Sequence, residues 1–166
     1  MSERYSRPML GLHWLIVLLL VVQYFSSEGP SHAHRAIARG MQPEAFDIFL
    51  ANIHVWTGVS VLVLTVIRFA VRYFGGVPAE AAGLTAWEAR LSKIGHYALY
   101  GLLVIVPASG MAAAWISDAA GGPHELLTNL LWLVAGLHIA AALWHYVVRR
   151  DTVLSRMVPW IKPLNG

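Results

Sequence analysis

Four long apolar stretches constrain the fold of this chain more strongly than any other feature of its sequence. They lie over about residues 9–25, 51–74, 94–116 and 125–148. Each is close to the length of about 20 residues that a helix needs to cross the hydrocarbon core of a bilayer. The runs are continuous instead of alternating, which favours helices over the strands of a β-barrel. The pattern predicts an all-α membrane protein in which four transmembrane helices with short connections form one up-down bundle.

The low charge of the sequence supports a lipid-membrane location and excludes several other classes. Charged residues make up 13% of the 166 residues, whereas about 25% is usual in soluble domains. The absence of cysteine excludes iron–sulfur clusters, disulfides and covalently attached c-type haem in this chain. No glycine-rich phosphate-binding fingerprint is found. The basic residues form no stripe with interleaved aromatics, so no nucleic-acid partner is indicated.

The basic residues predict how the bundle is oriented in its membrane. Arg35 and Arg39 lie on one side, and the other ten lie beside the opposite span ends: Arg4, Arg7, Arg68, Arg72, Arg90, Lys93, Arg149, Arg150, Arg156 and Lys162. Loops rich in lysine and arginine remain on the cytoplasmic side of a membrane, so both the N and C termini are expected in the cytoplasm. The first stretch lacks a clean small-residue cleavage site and is interpreted as a retained span.

Two segments outside the spans carry signals of local structure. The outer loop, residues 26–50, has apolar spacing that predicts a short amphipathic helix on the membrane surface, interrupted by Gly40 and Pro43. In the inner linker, Thr85 followed by Glu88 is typical of a capping box and predicts a helix start. No internal repeat divides the chain, so residues 1–166 are interpreted as a single membrane domain.

Histidine is frequent within and beside the spans. Six of the eight histidines lie there: His13, His54, His96, His124, His138 and His145. Ionisable side chains are costly in a bilayer and indicate a function by default. Fourteen residues of helix rise about 21 Å through nearly four turns, so His124 and His138 share a face at two depths. His145 lies on that face about 10 Å further toward the cytoplasm.

Histidines on other spans lie at matching depths. His13 is near the cytoplasmic start of the first span, and His54 is near the outer start of the second. The set is interpreted as two metal centres stacked across the membrane, each held between two helices. Haem suits such sites, because it is flat and apolar and two neutral imidazoles can fill its axial positions. Zinc is disfavoured, since it prefers about four close ligands with carboxylate or thiolate help.

Depth alone leaves the pairing of the histidines open. His54 can pair with His124 or with His138, and the second choice would pair His13 with His145. That choice places two sites only about 10 Å apart along one helix, which crowds two macrocycles. A further alternative is a haem-free membrane module in which these side chains form hydrogen bonds between helices.

Four motifs, one for each span, resemble the bacterial cytochrome b-561 family. They are "RYSRPMLGLHWLIVLLL", "NIHVWTGVSVLVLTVIRFAVRY", "GHYALYGLLVIVPASGM" and "GLHIAAALWHYVVRRDTVLSRMVP". Members of the family are four-helix, di-haem, quinone-linked membrane proteins, and one branch is superoxide oxidase. The resemblance implies a location in the bacterial cytoplasmic (inner) membrane. The resemblance implies that His13 and His138 hold a cytoplasmic haem b, and that His54 and His124 hold an outer haem b.

The resemblance also implies a ubiquinone site near the cytoplasmic face. His96 and His145 are left there, beside Arg68, Arg72 and Trp14. Reduction of a quinone to a quinol consumes two protons, which histidine can supply near neutral pH. Arginine can stabilise a negatively charged quinone or a haem propionate. Membrane anchoring is an alternative role for the arginines, and packing is one for the tryptophan.

The electron donor is expected at the outer face. A surface that collects superoxide should be positive, and the candidate patch is His32, His34, Arg35 and Arg39. Residues 26–50 nevertheless hold two arginines against three carboxylates, a formal −1, and a solvated segment is the alternative. The expected function is a superoxide:ubiquinone oxidoreductase. The alternative is a cytochrome b relay subunit that links another dehydrogenase to the quinone pool.

Overall fold

A computed structural model describes residues 5–76, 78–79, 83–158 and 160–162, and five α-helices account for most of them. The helices are α1 (Arg7–Ser26), α2 (Glu28–Ala38), α3 (Ala45–Gly75), α4 (Ala86–Trp115) and α5 (Gly121–Trp144). Short 3₁₀ turns occupy Asp118–Ala120 and Leu154–Arg156, and a π-helical turn occupies His145–Arg149. Helices α1, α3, α4 and α5 are long and apolar enough to cross a membrane. The all-α fold class is therefore confirmed, and no strand occurs in the ranges described.

Local sequence signals set where the spanning helices begin. Pro8 lies in the first turn of α1, where its missing N–H costs no hydrogen bond. The predicted capping box at the start of α4 is confirmed: the Thr85 hydroxyl accepts from the Glu88 backbone N–H at 3.3 Å, and the Glu88 carboxylate accepts from the Thr85 N–H at 2.8 Å. Helix α4 continues through Pro107. Helices α3 and α4 begin at Ala45 and Ala86, ahead of the apolar stretches that start near residues 51 and 94, because their first turns are formed by more polar sequence.

Contacts at both ends show that α1 and α3 are antiparallel. Near the end of α1, the Gln23 amide donates to the carbonyl oxygen of His54, in the early part of α3, at 2.6 Å. Near the start of α1, the carbonyl oxygen of Met9 accepts from the guanidinium of Arg68, in the late part of α3. Helix α3 also packs against α4, and α4 packs against α5.

Helices α4 and α5 are antiparallel as well. A cluster of Leu102, Val106 and Leu131 forms the buried core at their junction. Eight apolar side chains are buried in the described part of the chain: Met9, Ile16, Val61, Leu102, Val106, Pro107, Leu131 and Val158. The four spans therefore form the predicted up-down bundle, with a thin core of packed side chains.

Helix α2 lies on the early part of α3. A Cβ on Gly29 would come 2.5 Å from the Cβ of Leu50, so only glycine permits this close crossing. The His32 ring and the Asp47 carboxylate join the two helices at 3.1 Å. The amphipathic segment predicted in the outer loop is thus a helix, and it ends before Gly40, whose φ of 69° is in the left-handed region.

The start of α1 and the segment that follows α5 meet at one end of the bundle, here called the terminal end. Trp14 Nε1 donates to the carbonyl oxygen of Met157 at 3.0 Å, and its ring lies 6.0 Å from that of Trp160. Arg156 donates to the carbonyl oxygen of Ala79 at 2.6 Å. Residues 150–158 therefore fold back under the bundle. The opposite end, which holds α2 and the Asp118–Ala120 turn, is called the loop end. Of the basic residues used to predict the orientation, Arg4 lies outside the described residues.

Candidate functional site

The structure brings His54 of α3 and His124 of α5 together near the loop end. Their ring centroids are 6.3 Å apart, and the ring planes are nearly perpendicular at 83°. Two metal–imidazole bonds of about 2 Å each, plus the distance from each nitrogen to its ring centre, give a centroid separation of about 6 Å. The pair therefore fits two axial ligands on opposite sides of one haem iron.

The surroundings of His124 fix which ring nitrogen faces such an iron. Its Nδ1 lies 3.0 Å from the carbonyl oxygen of Val106 and 3.1 Å from the Ser109 hydroxyl. The carbonyl can only accept, so Nδ1 carries the hydrogen and Nε2 keeps the lone pair. Metal-binding histidines commonly donate their second N–H in this way. Gly110 makes room for the ring, because the His124 imidazole occupies the space that a Cβ at residue 110 would need.

Polar side chains of α1 support His54. The Ser26 hydroxyl lies 3.4 Å from His54 Nδ1 and is buried. The Gln23 amide, which bonds the His54 carbonyl oxygen, also donates to the Thr57 hydroxyl. Neither Gln23 nor Ser26 was predicted from the sequence. The sequence did contain one signal of such a role: Gln23 is a lone amide side chain near the end of the otherwise apolar first span.

A second histidine cluster lies toward the terminal end. The rings of His96 on α4 and His138 on α5 are 5.2 Å apart. His13 of α1 interacts electrostatically with both of them and with Arg68. His96 Nδ1 lies 2.6 Å from the carbonyl oxygen of Ser92, which leaves its Nε2 for other partners. The structure thus places the predicted pair of His13 and His138 in one cluster and adds His96 to it.

The two clusters differ from a compact metal site. Among the residues that the structure describes, no three histidine, aspartate or glutamate side chains converge on a single metal-sized point. A haem needs only two protein ligands, one on each side of its plane. The donor set therefore suits haem better than zinc, which prefers about four.

The five residues predicted for a quinone site lie in three places. Arg68 is buried beside the histidine cluster, where its guanidinium bonds the Met9 carbonyl oxygen. This position does not suit an anchor in the lipid headgroups. Arg72 and His96 line one cavity. Trp14 and His145 contact the segment that follows α5.

The cavity lies between α3 and α4. It has a volume of about 90 Å³, and its lining residues are Phe69, Arg72, Lys93, His96, Tyr97 and Tyr100. A wider apolar groove of about 420 Å³ adjoins it and shares Phe69 and Tyr100. Together they offer a polar pocket for a small ring and an apolar channel for a hydrocarbon chain.

The residues predicted to steer superoxide lie on or just after α2. His32, His34, Arg35 and Arg39 are all exposed at the loop end. His32 Nδ1 lies 3.1 Å from Asp47 Oδ1, so a carboxylate stands directly beside the patch. The patch is therefore present as an exposed surface, on the same end of the bundle as His54 and His124.

A membrane bundle of four helices with histidines gathered at two depths defines a class, the membrane-bound b-type cytochromes. Within that class, this chain belongs to the prokaryotic cytochrome b561 family, which it matches over residues 4–160. The family assignment confirms the resemblance drawn from the four motifs. It makes the protein a bacterial membrane electron-transfer protein whose family cofactor is haem b, and it argues against a haem-free module.

Three relatives match nearly the whole chain. "Cytochrome b562" of Cereibacter sphaeroides is 35% identical over 159 residues, covering 93% of this chain and 94% of the relative. "Probable superoxide oxidase CybB" of Yersinia pestis is 28% identical over 181 aligned positions, covering 96% and 98%. "Cytochrome b561 homolog 1" of Escherichia coli is 23% identical, covering 95% and 98%.

Proposed function

We propose that this protein carries two haem b groups and passes electrons from superoxide at the loop end to ubiquinone at the terminal end. The observation that carries the proposal is the gathering of histidines at two levels. His54 and His124 lie 6.3 Å apart at one level, and His13, His96 and His138 cluster at the other. The two levels are about 21 Å apart along α5.

Each haem has two ligands in this proposal. His54 and His124 hold the loop-end group, and His13 and His138 hold the terminal-end group. When bound, haem supplies reversible one-electron transfer, and two imidazole ligands leave no open position for oxygen. The chain's own residues orient the ligands: Val106 and Ser109 fix the His124 ring through its Nδ1.

Ubiquinone is the acceptor that best suits the terminal end. The pocket with Arg72 and His96 can take a polar ring, and the adjoining apolar groove can take a prenyl chain. Arg72 can bond a quinone oxygen with a charge-assisted hydrogen bond. His96 and His145 are candidate proton donors. The excess of basic residues at the terminal end favours a cytoplasmic position for it, with both termini inside.

The name of one relative and the exposed surface at the loop end support superoxide as the donor. One relative is named as a probable superoxide oxidase and matches 96% of this chain. The exposed side chains of His34, Arg35 and Arg39 can steer an anion toward the His54 level. Each superoxide gives up one electron and leaves as oxygen. Two such electrons and two protons convert one ubiquinone to ubiquinol.

A relay subunit of another dehydrogenase is the second candidate. The relative named simply as a cytochrome b562 has the higher identity, 35%. The acidic residues of the outer loop, such as Glu28 and Glu44, also oppose anion collection. This alternative expects a stable complex with a partner protein that delivers the electrons.

Stopped-flow mixing separates the two candidates. Purified oxidised protein is mixed with superoxide, and the b-type α band is followed with and without ubiquinone. We expect fast haem reduction, reoxidation when ubiquinone is present, and loss of both signals when superoxide dismutase is added first. A protein that stays oxidised under superoxide, but is reduced when a partner dehydrogenase and its substrate are added, contradicts the oxidase proposal.

A further inference from the structure

An unusual turn after α5 returns the chain onto His145. Residues His145–Arg149 form a π-helical turn, and Arg150 follows with a φ of 52°. A non-glycine residue in this left-handed region is strained and is held by its surroundings. Because the chain reverses there, the Asp151 N–H donates to the His145 carbonyl oxygen at 3.2 Å.

The same turn joins the two side chains. His145 Nδ1 lies 2.6 Å from Asp151 Oδ2, and both side chains are about five-sixths buried, with 15% and 16% exposed. The other carboxylate oxygen, Oδ1, accepts from the Val153 backbone N–H at 3.0 Å. The carboxylate is therefore fixed on both sides, and the imidazole is held by a partner that cannot rotate away.

This contact decides the tautomer of His145. An ionised carboxylate only accepts hydrogen bonds, so the hydrogen must lie on Nδ1. Proton exchange is then confined to Nε2, as it is for other histidines that a carboxylate orients.

Other charged groups face the pair from α4 and from the turn itself. Glu88, in the first turn of α4, interacts electrostatically with His145. Arg149 bonds the Glu88 carboxylate at 3.3 Å and the Gly83 carbonyl oxygen at 2.8 Å. The pair is thus anchored to α4 and to the linker before it, at the rim of the terminal end.

We propose that Asp151 is a positioning residue for proton delivery to the quinone. When both ring nitrogens carry a hydrogen, His145 releases the Nε2 proton toward the quinone pocket through water at the rim, while Asp151 keeps the Nδ1 hydrogen in place. The neutral ring then regains a proton at Nε2 from bulk water. Each quinone takes up two protons in all, and its two electrons come from the donor named in the proposed function. This inference rests on the proposed function, since it needs an acceptor that takes up protons at the terminal end.

Steady-state kinetics with a short-chain ubiquinone test the role of Asp151. Asp151→Asn keeps the shape of the side chain but no longer dictates the tautomer. We expect kcat to fall about tenfold, the lower end of the loss when a histidine loses its orienting partner, with KM and haem content unchanged. The carboxylate-preserving variant Asp151→Glu should restore part of the rate, and Asp118→Asn, an exposed carboxylate at the loop end, is the matched control.

A double-mutant cycle distinguishes positioning from a general structural role. If Asp151 acts through His145, the double variant His145→Ala/Asp151→Asn has a kcat no lower than that of His145→Ala alone. Additive losses overturn the inference and leave the proposed function standing. Wild-type protein that is reduced by superoxide but never reduces ubiquinone overturns both.

Ring ¹⁵N NMR of the purified protein reads the tautomer directly, with His145→Ala used to assign the signal. We expect Nδ1 protonated in the wild type and an exchanging mixture in Asp151→Asn. A wild-type His145 with its hydrogen on Nε2 contradicts the inference, whatever the kinetic result.

Discussion

Gly110 of α4 lies directly against the imidazole of His124. A Cβ at this position would come 2.9 Å from His124 Cε1 and 3.3 Å from Nδ1. Real Cβ contacts are not this short, so a side chain at residue 110 must displace the ring. The helix that supplies no proposed iron ligand thereby controls where a ligand of its neighbour sits.

The first prediction follows from this contact. Gly110→Ala should shift the His124 ring at a cost of about 1–3 kcal/mol for overpacking, and it should weaken or abolish binding of the loop-end haem. Haem per chain, measured by the pyridine haemochrome assay, should fall from two toward one. Gly101→Ala in the same helix is the control, because a Cβ there meets nothing within 4 Å. Full haem content in Gly110→Ala would contradict the assigned site.

The second prediction concerns the pairing at the terminal end. We expect His138→Ala to lose the terminal-end haem, because no other residue of α5 at that level can replace its imidazole. His145→Ala should keep both haems and slow ubiquinone reduction, since His145 is paired with Asp151. Haem content and the amplitude of the α band measure both outcomes. Loss of a haem in His145→Ala would reverse the pairing.

The third prediction concerns the cavity between α3 and α4. Arg72→Ala removes the guanidinium that lines the polar pocket. We expect KM for ubiquinone to rise about tenfold, which corresponds to about 1.4 kcal/mol of lost binding, while reduction by superoxide is unchanged. Arg90→Ala, an exposed arginine near the start of α4, is the matched control. An unchanged KM in Arg72→Ala would place the quinone elsewhere.

The fourth prediction concerns the exposed patch of His32, His34, Arg35 and Arg39 on and just after α2. Replacing Arg35 and Arg39 together by glutamine removes two positive charges near the loop end. The rate of haem reduction by superoxide should fall several-fold at low ionic strength, and the difference should shrink as salt screens the surface. Stopped-flow measurements over a salt series provide the test, with Arg90→Gln as control. Equal rates at all salt concentrations would exclude steering by this patch.

Much of the fold was predictable because the bilayer imposes its own pattern. Continuous apolar runs marked all four spans, and Thr85 with Glu88 marked the start of α4. The 14-residue separation of His124 and His138 placed them on one face at two depths, which needs only helix geometry. Each of these inferences depends on residues close together in one element.

The parts that could not be predicted depend on how separate helices meet. The support of His54 by Gln23 and Ser26 requires the register between α1 and α3. The approach of His96 to His138 requires the packing of α4 on α5. Such registers are set by side-chain packing over whole helices, so no short motif carries them.

The pairing of His145 with Asp151 was missed for a different reason. The two residues are six apart, a spacing that faces them away from each other on a regular α-helix. The π-helical turn and the left-handed Arg150 bring them together. Nothing in the composition of this segment marks that turn, because left-handed positions are usually recognised by glycine or asparagine.

Helix α4 touches both histidine levels without donating a proposed ligand to either. Val106, Ser109 and Gly110 contact the His124 ring near the loop end, and His96 contacts His138 nearer the terminal end. A rotation or tilt of α4 would therefore move imidazoles at both depths at once. The two proposed redox centres are therefore mechanically coupled through α4, so a change that shifts the whole helix, unlike a local substitution, should alter both spectra together.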